Sequence, residues 1–133
     1  MSGKAKKGDS DHEIGKRWTS GLATRGFTPI VQPFLEHHCQ LQITPTEAML
    51  VVHLMSFKWD ASAPFPSMTK LAGRLGCTER YVRKLCVRLE QFGYLKRYGR
   101  LGTSNQFDLD GLFAELEKRE AEKPKIVQLP KAS

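Results

Sequence analysis

The pattern of apolar and polar residues divides the chain into helical stretches followed by one short alternating region. A first helix is predicted to begin near Pro33, since proline is tolerated in an opening turn, and to end around Leu41. Phe34, Leu35, His38 and Leu41 would then share one side of that helix. The spacing therefore predicts a short amphipathic helix before the main core.

The sequence TPTE at 44–47 is a helix start signal. Thr44 can cap the helix, Pro45 suits its first position and Glu47 can complete a capping box. The residues that follow, AMLVVHLMSFKW, are apolar nearly all round, which is typical of a buried helix. The sequence DASAPFP then predicts a loop, because its two prolines and small residues interrupt the helical pattern.

Two further helices are predicted on either side of a tight turn. Ser67 would cap a helix through Leu75, and Gly76 would end it, because glycine readily adopts the left-handed conformation of a sharp turn. Thr78 would cap a longer helix through about Phe92, which a glycine again terminates.

After these helices the apolar period changes to that of a strand. The sequences YLKRY (94–98) and NQFDL (105–109) flank GRLGTS, whose glycines suit a hairpin turn. Asp110 would cap a last helix with Leu112, Phe113 and Leu116 on one stripe.

The spacing between 72 and 85 matches the helix-turn-helix pattern. A small Ala72 precedes the turn glycine Gly76 by four residues, and the buried anchors Val82 and Leu85 follow it by six and nine. We therefore predict a mainly α (α+β) winged helix-turn-helix with three to five helices and a two-stranded β-hairpin wing. Its second helix is the one that enters the DNA major groove in this motif.

Composition divides the 133-residue chain into one domain and two tails. We predict a flexible basic N-terminal tail over 1–25, the winged helix-turn-helix domain over 26–117 and a polar C-terminal tail over 118–133. No apolar run is long enough to cross a bilayer and no signal peptide is recognisable, so we expect a soluble protein of the bacterial cytosol or nucleoid. The three cysteines suit reduced thiols.

Positive charge is concentrated in one part of the chain. The formal net charge is +7, and residues 67–100 contain nine basic and two acidic side chains, whereas charges in the rest of the chain cancel. Such a concentration is typical of a protein that meets a polyanion.

The predicted outer face of the second helix supplies side chains that suit DNA. Arginine can donate two hydrogen bonds to a guanine edge and glutamate can accept one from cytosine, whereas residues further along suit phosphate. The predicted DNA-binding residues are Ser67, Thr69, Lys70, Thr78, Glu79, Arg80, Arg83, Lys84, Arg88, Lys96, Arg97, Arg100 and Thr103. Lys84 and Arg88 are assigned to phosphate, Lys70 to phosphate beside a helix N-terminus, and Arg100 to the tip of the wing.

The region from Gly26 to Leu116 resembles the winged helix-turn-helix domain of phage and plasmid replication initiators and small stand-alone regulators. The resemblance lies in GFTPI, TPTEAMLVVHLM, FPSMTKLAGRLGCTERYVRKLCVRLEQFGYLKR and SNQFDLDGLF. It implies recognition positions at Thr78, Glu79, Arg80, Arg83 and Lys84, and a wing over Gly99–Ser104. The sequence departs from such domains at Cys77, where they usually have valine or another small apolar residue, and we expect none of the further domains that initiators use for helicase loading.

These patterns predict a sequence-specific binder of double-stranded DNA, either a transcription regulator or a replication or segregation accessory factor of a mobile element. The alternative is a winged-helix protein–protein interaction module that does not bind DNA. We expect a homodimer or cooperative assembly on DNA, through the Leu112–Leu116 stripe if that stripe is not part of the core. No enzymatic activity, cofactor, small-molecule ligand or metal is expected. His37–Cys39 does not suit a metal site, because adjacent residues on a helix point in different directions. Cys77 and Cys86 suit structural thiols better than a redox switch.

Overall fold

The computed structural model describes residues 16–57, 66–100 and 103–122. Its helices and strands follow one another as α1 (Ser20–Arg25), α2 (Gln32–His37), α3 (Pro45–Ser56), α4 (Met68–Leu75), α5 (Glu79–Gln91), β1 (Lys96–Arg100), β2 (Thr103–Asp108) and α6 (Asp110–Ala121). The mainly helical fold with one two-stranded antiparallel sheet confirms the predicted fold class, although six helices are described rather than the three to five predicted.

The region before α3 differs from the predicted pattern in two respects. It contains α1, which the apolar spacing does not predict and none of whose residues is buried. α2 ends at His37, and the chain reaches Leu41 through a turn rather than through further helix. Phe34 and Leu41 are buried as predicted, but Leu35 points to solvent, because the shorter helix faces the core through Phe34. Of the predicted N-terminal tail, 1–15 lies outside the described residues.

α3 begins with the predicted capping box and forms the centre of the core. The Thr44 hydroxyl accepts a hydrogen bond from the Glu47 amide, and the Glu47 carboxylate accepts one from the Thr44 amide at 2.9 Å. Leu50, Val51 and Leu54 are fully buried, as expected for a helix with apolar residues on most sides. The predicted loop over 60–66 lies, except for Pro66, outside the described residues.

The helix-turn-helix consists of α4 and α5. Ser67 caps α4 and Thr78 caps α5, each accepting a hydrogen bond from the amide three residues later. Gly76 joins them in the left-handed conformation, with φ 70° and ψ 36°, which the sharp turn requires. The facing sides of the two helices bury Leu71, Ala72, Val82, Leu85, Cys86 and Leu89.

β1 and β2 form the predicted hairpin, but with shifted bounds. The first strand begins at Lys96 rather than Tyr94, and the ladder extends to a pair between Arg100 and Thr103. Much of the wing expected over 99–104 is therefore strand, with an irregularity between Tyr98 and Arg100. Residues 101–102, and the side chains of residues 100–105, are not among the parts of the chain that the structure describes.

α6 packs against the core, with a different N-terminus from the one predicted. Asp110 is its first residue rather than its cap, because the Asp108 side chain accepts the Asp110 amide hydrogen bond at 2.8 Å. Leu112 and Leu116 are buried within this single chain. The helix continues past 117 to Ala121, and the predicted C-terminal tail beyond 122 lies outside the described residues.

Candidate nucleic-acid interface

One face of α5 is cationic and turned to solvent. Arg80, Lys84, Val87 and Gln91 follow one another at spacings of three or four residues, so they share a side of the helix, and all four are exposed. The opposite side is the one that packs into the core. Arg80 and Lys84 form no ion pair with any residue in the described ranges. Their charges are therefore free to meet a ligand.

Beside this face, Glu79 links the two helices of the motif. Its carboxylate accepts a hydrogen bond from the Thr69 hydroxyl at 2.7 Å and lies 3.3 Å from the Arg83 guanidinium. Arg83 is exposed, so this pair is worth little and can be exchanged for another acceptor. Thr69, Glu79 and Arg83 are thus brought together as predicted site residues, but Glu79 already has partners within the chain. The Thr78 hydroxyl is likewise engaged, as the cap of α5.

Arg88 does not extend freely into solvent as the prediction of a phosphate contact assumes. Its Nε lies 2.5 Å from a carboxylate oxygen of Glu47, and its Nη2 donates to the Gln42 carbonyl oxygen at 3.1 Å. The guanidinium also lies over the Phe92 ring, 5.3 Å from its centroid. The reason is tertiary: α3 brings a buried carboxylate to this side of α5.

Arg97 is also paired within the protein. Its Nε and Nη2 donate to the two carboxylate oxygens of Glu90 at 2.7 and 3.0 Å, and its side chain is only 19% exposed. The hydrogen bond to Glu90 raises the pKa of Arg97 above its ordinary value, which burial opposes. This pair joins β1 to α5. Arg97 is therefore a structural link in the free protein rather than an available cation.

The exposed side of α4 adds cations next to α5. Lys70 and Arg74, four residues apart, both approach the Phe57 ring, with 5.8 and 4.5 Å to its centroid. Arg74 also donates to the Ser56 hydroxyl at 3.1 Å. The predicted set omits Arg74, although its spacing from Lys70 and its place in the basic region were available signals. Ser67 uses its hydroxyl to cap α4, which leaves Lys70 as the exposed cation of this turn.

Besides Arg97, the hairpin contributes one cation whose side chain is described, Lys96, and it is exposed. Arg100 and Thr103 stand opposite each other in the ladder, and their side chains lie outside the description. Two exposed aromatic residues, Tyr81 on α5 and Tyr98 on β1, also lie in this basic region and are missing from the predicted set. An aromatic residue in a run of basic residues is the signal that could have indicated them.

Away from this surface, Glu36, His37 and Glu120 bring potential metal-binding atoms within 4.8 Å of one another. His37 is already bonded to Glu120 at 2.9 Å, and neither His38 nor Cys39 belongs to the group.

A groove of about 640 Å³ is lined mainly by apolar residues such as Val31, Met55 and Leu116. Among the described residues there is no helix with the length and apolar character that crossing a membrane requires.

Comparison with known proteins agrees with this geometry. Residues 41–95 match a family described as a helix-turn-helix domain. The structure is similar to that of the N-terminal domain of DnaD protein from Geobacillus kaustophilus HTA426, with 20% identity, a TM-score of 0.61, and coverage of 86% of this chain and 96% of that one. The fold is that of a winged helix-turn-helix.

A second solved structure, the YusO protein from Bacillus subtilis, aligns over 96% of this chain and 92% of its own at 18% identity and a TM-score of 0.42. No curated protein matches the chain. The matched domain spans α3 to the start of the wing, and so includes the exposed cations of α4 and α5. The match over residues 41–95 and the fold together support a DNA-binding winged-helix protein.

Proposed function

We propose that the protein binds double-stranded DNA in a sequence-specific manner, with α5 in the major groove and the β1–β2 hairpin on the backbone or in the adjacent minor groove. The observation that carries the proposal is that Arg80 and Lys84, on the outward face of the second helix of the motif, are exposed and form no ion pair with the described residues. A helix of this kind needs its cations free to replace the counterions of the duplex.

The positions along α5 suggest different roles for its cations. Arg80 and Arg83 lie near the start of the helix, the part that reaches base edges in this motif, and either could donate two hydrogen bonds to guanine. Lys84 lies further along and suits phosphate. Lys70 on α4 and Lys96 on β1 lie on the flanking elements and would contact the backbone.

A biological role follows from the same proposal. A protein that occupies a defined site without catalysing a reaction would regulate transcription or organise a replication or segregation complex. We expect no enzymatic step, since most of the groups that the fold exposes beside α5 are cations, an amide and hydroxyls suited to holding a polyanion, and the Glu79 carboxylate is engaged by Thr69 and Arg83.

Assembly on DNA would require an apolar surface other than the predicted one. Leu112 and Leu116 are buried in their own chain, so they are not available to a second copy. Half of the exposed large apolar residues among those described lie instead near the N-terminus, at Trp18, Leu22, Phe27, Val31 and Leu35. We propose that the homodimer or cooperative assembly that forms on DNA is held together by these side chains. The same patch is what favours the alternative of a protein interaction module.

The test is to neutralise the free cations and leave the fold unchanged. Replacing both Arg80 and Lys84 with alanine should weaken binding to a duplex at least roughly tenfold, because one base contact and one phosphate contact are lost. Lys118→Ala on α6, which also removes one exposed lysine, is the matched control and should bind as the wild type does. Equal affinity of the double variant and the wild type would contradict the proposal, and a pulldown that recovers a protein partner without DNA would favour the alternative.

A further inference from the structure

Glu47 is the one charged side chain that is buried in the described part of the chain. It is 1% exposed, although the free energy cost of burying a carboxylate is large unless the charge is paired. One function of the carboxylate is local, since it accepts the Thr44 amide hydrogen bond in the capping box. A polar or smaller residue could cap the helix at less cost, so capping alone does not explain a buried charge.

The second function of Glu47 is long-range. Its other carboxylate oxygen lies 2.5 Å from Arg88 Nε, which comes from the recognition helix α5. The same guanidinium donates to the Gln42 carbonyl oxygen and rests on the Phe92 ring. The Arg88 side chain, though 45% exposed, is therefore held by three partners.

The position of Arg88 along α5 gives this contact its importance. Arg88 lies eight residues beyond Arg80, which is about 12 Å along a helix axis. An ion pair at this distance from Arg80 resists rotation of α5 about its own axis and tilting of α5 against α3. Either movement would change the direction in which Arg80 and Lys84 project.

We propose that Glu47 and Arg88 act as a positioning pair that fixes the orientation of α5 for DNA, and that Arg88 does not bind phosphate. The inference rests on the proposed function and deepens it. It reassigns one cation from the binding surface to the support of that surface. It also assigns a role in DNA recognition to Glu47, a residue on another helix.

The salt dependence of binding separates the two roles of Arg88. A phosphate contact contributes about 0.9 to the slope of log K against log salt concentration, whereas a positioning residue contributes nothing to it. We would measure fluorescence anisotropy with a labelled duplex for the wild type, Arg88→Met, Glu47→Gln and the double variant. Lys84→Ala serves as the phosphate-contact control, and circular dichroism melts identify a temperature at which every variant is folded.

The expected result is a loss of affinity of roughly 3- to 30-fold in each of Arg88→Met and Glu47→Gln, with the salt slope unchanged. The double variant should show no further loss, because both changes break the same pair. Lys84→Ala should instead make the slope less negative by about 0.9. A less negative slope in Arg88→Met together with undiminished binding by Glu47→Gln would overturn the proposal and assign Arg88 to phosphate.

Arg88→Lys keeps the proposal testable if the methionine variant does not fold. Lysine retains the charge but cannot reproduce the combined Nε and Nη2 contacts with Glu47 and Gln42. A positioning role predicts weakened binding at an unchanged slope, and a phosphate role predicts binding close to that of the wild type. Failure of the wild type itself to bind any duplex is a different result, which contradicts the proposed function.

Discussion

The cations of the basic region differ in how available they are to bind a ligand. Arg97 is paired with two oxygens of Glu90, and Arg88 with a buried carboxylate, so both already have strong partners. Arg83 shares an exposed and weak pair. Arg80 and Lys84 form no ion pair with the residues that the structure describes. At the scale of single residues, a count of positive charges therefore overstates the number available to a ligand.

Arg83 should read a base. We expect Arg83→Ala to weaken binding to a site selected from a random pool by about 1–3 kcal/mol. Thermal stability should change little, because the exposed pair with Glu79 contributes little to folding. The measurement is the Kd on the selected site and on unrelated duplexes. Equal losses on all of them would assign Arg83 to phosphate instead.

The cysteines should differ sharply in reactivity. Burial raises the pKa of the Cys86 thiol to about 11, against a weaker opposing effect of Arg97, so almost no thiolate is present near neutral pH. Cys39 is exposed. A maleimide reagent followed by mass spectrometry should modify Cys39 first and Cys86 only in denaturant. Modification of Cys86 in the native protein would instead favour the hypothesis of a redox switch that involves Cys77 and Cys86.

His53 should make folding sensitive to acid. Its burial, and secondarily the positive charge of Arg74, lower the pKa of His53 in the folded protein below the ordinary 6.5. The unfolded chain then binds the proton first, so this contribution to stability is present above pH 6.5 and is lost as the pH falls. Urea unfolding at pH 7.5 and about 5 should show a larger acid loss in the wild type than in His53→Gln. Equal losses would show that His53 has no part in it.

At the scale of elements, local signals were sufficient for the caps and turns but not for contacts between distant segments. The capping box at Thr44, the caps at Ser67 and Thr78 and the left-handed Gly76 involve residues close in sequence, and all are confirmed. The hairpin bounds, by contrast, depend on how the two strands pair. The start of α6 is an exception among the local signals, because the Asp108 side chain, two residues before Asp110, accepts the amide hydrogen bond there.

The same reasoning explains which parts of the candidate site the sequence could predict. The outward face of α5 follows from helical periodicity, and its exposed cations agree with it. The partner of Arg88 lies 41 residues earlier in the chain, and that of Arg97 on another element, so periodicity along one helix holds no information about them.

Two glycines within helices provide an opposed pair of stability tests. A Cβ atom at Gly111 in α6 would come within 2.0 Å of the Gly93 carbonyl oxygen, a backbone atom that cannot move aside easily. A Cβ atom at Gly73 in α4 would meet nothing within 4 Å. We expect Gly111→Ala to lower the free energy of unfolding by about 1–3 kcal/mol, and Gly73→Ala to raise it by roughly 0.5–1 kcal/mol. Urea denaturation measures both, and a neutral Gly111→Ala would show that α6 does not pack closely against the end of α5.

At the scale of the whole molecule, charge and architecture point to the same surface. The formal excess of +7 arises within the helix-turn-helix and hairpin, which also expose some apolar residues such as Tyr81 and Val87, whereas a second group of exposed apolar residues, from Trp18 to Leu35, lies near the N-terminus. A duplex and a second protein surface could therefore be contacted at different places on one domain. This separation is what a DNA-binding protein that assembles on its site would need.

The most direct test of DNA binding is the salt dependence of the wild-type affinity for a duplex between about 50 and 200 mM KCl. Phosphate contacts by Lys70, Lys84, Lys96 and Arg100 predict a slope of log K against log salt of roughly −3 to −4, at about 0.9 for each contact. A duplex affinity that is measurable in dilute buffer and falls with this slope is the predicted result. No binding in dilute buffer, or a slope near zero, would contradict the account.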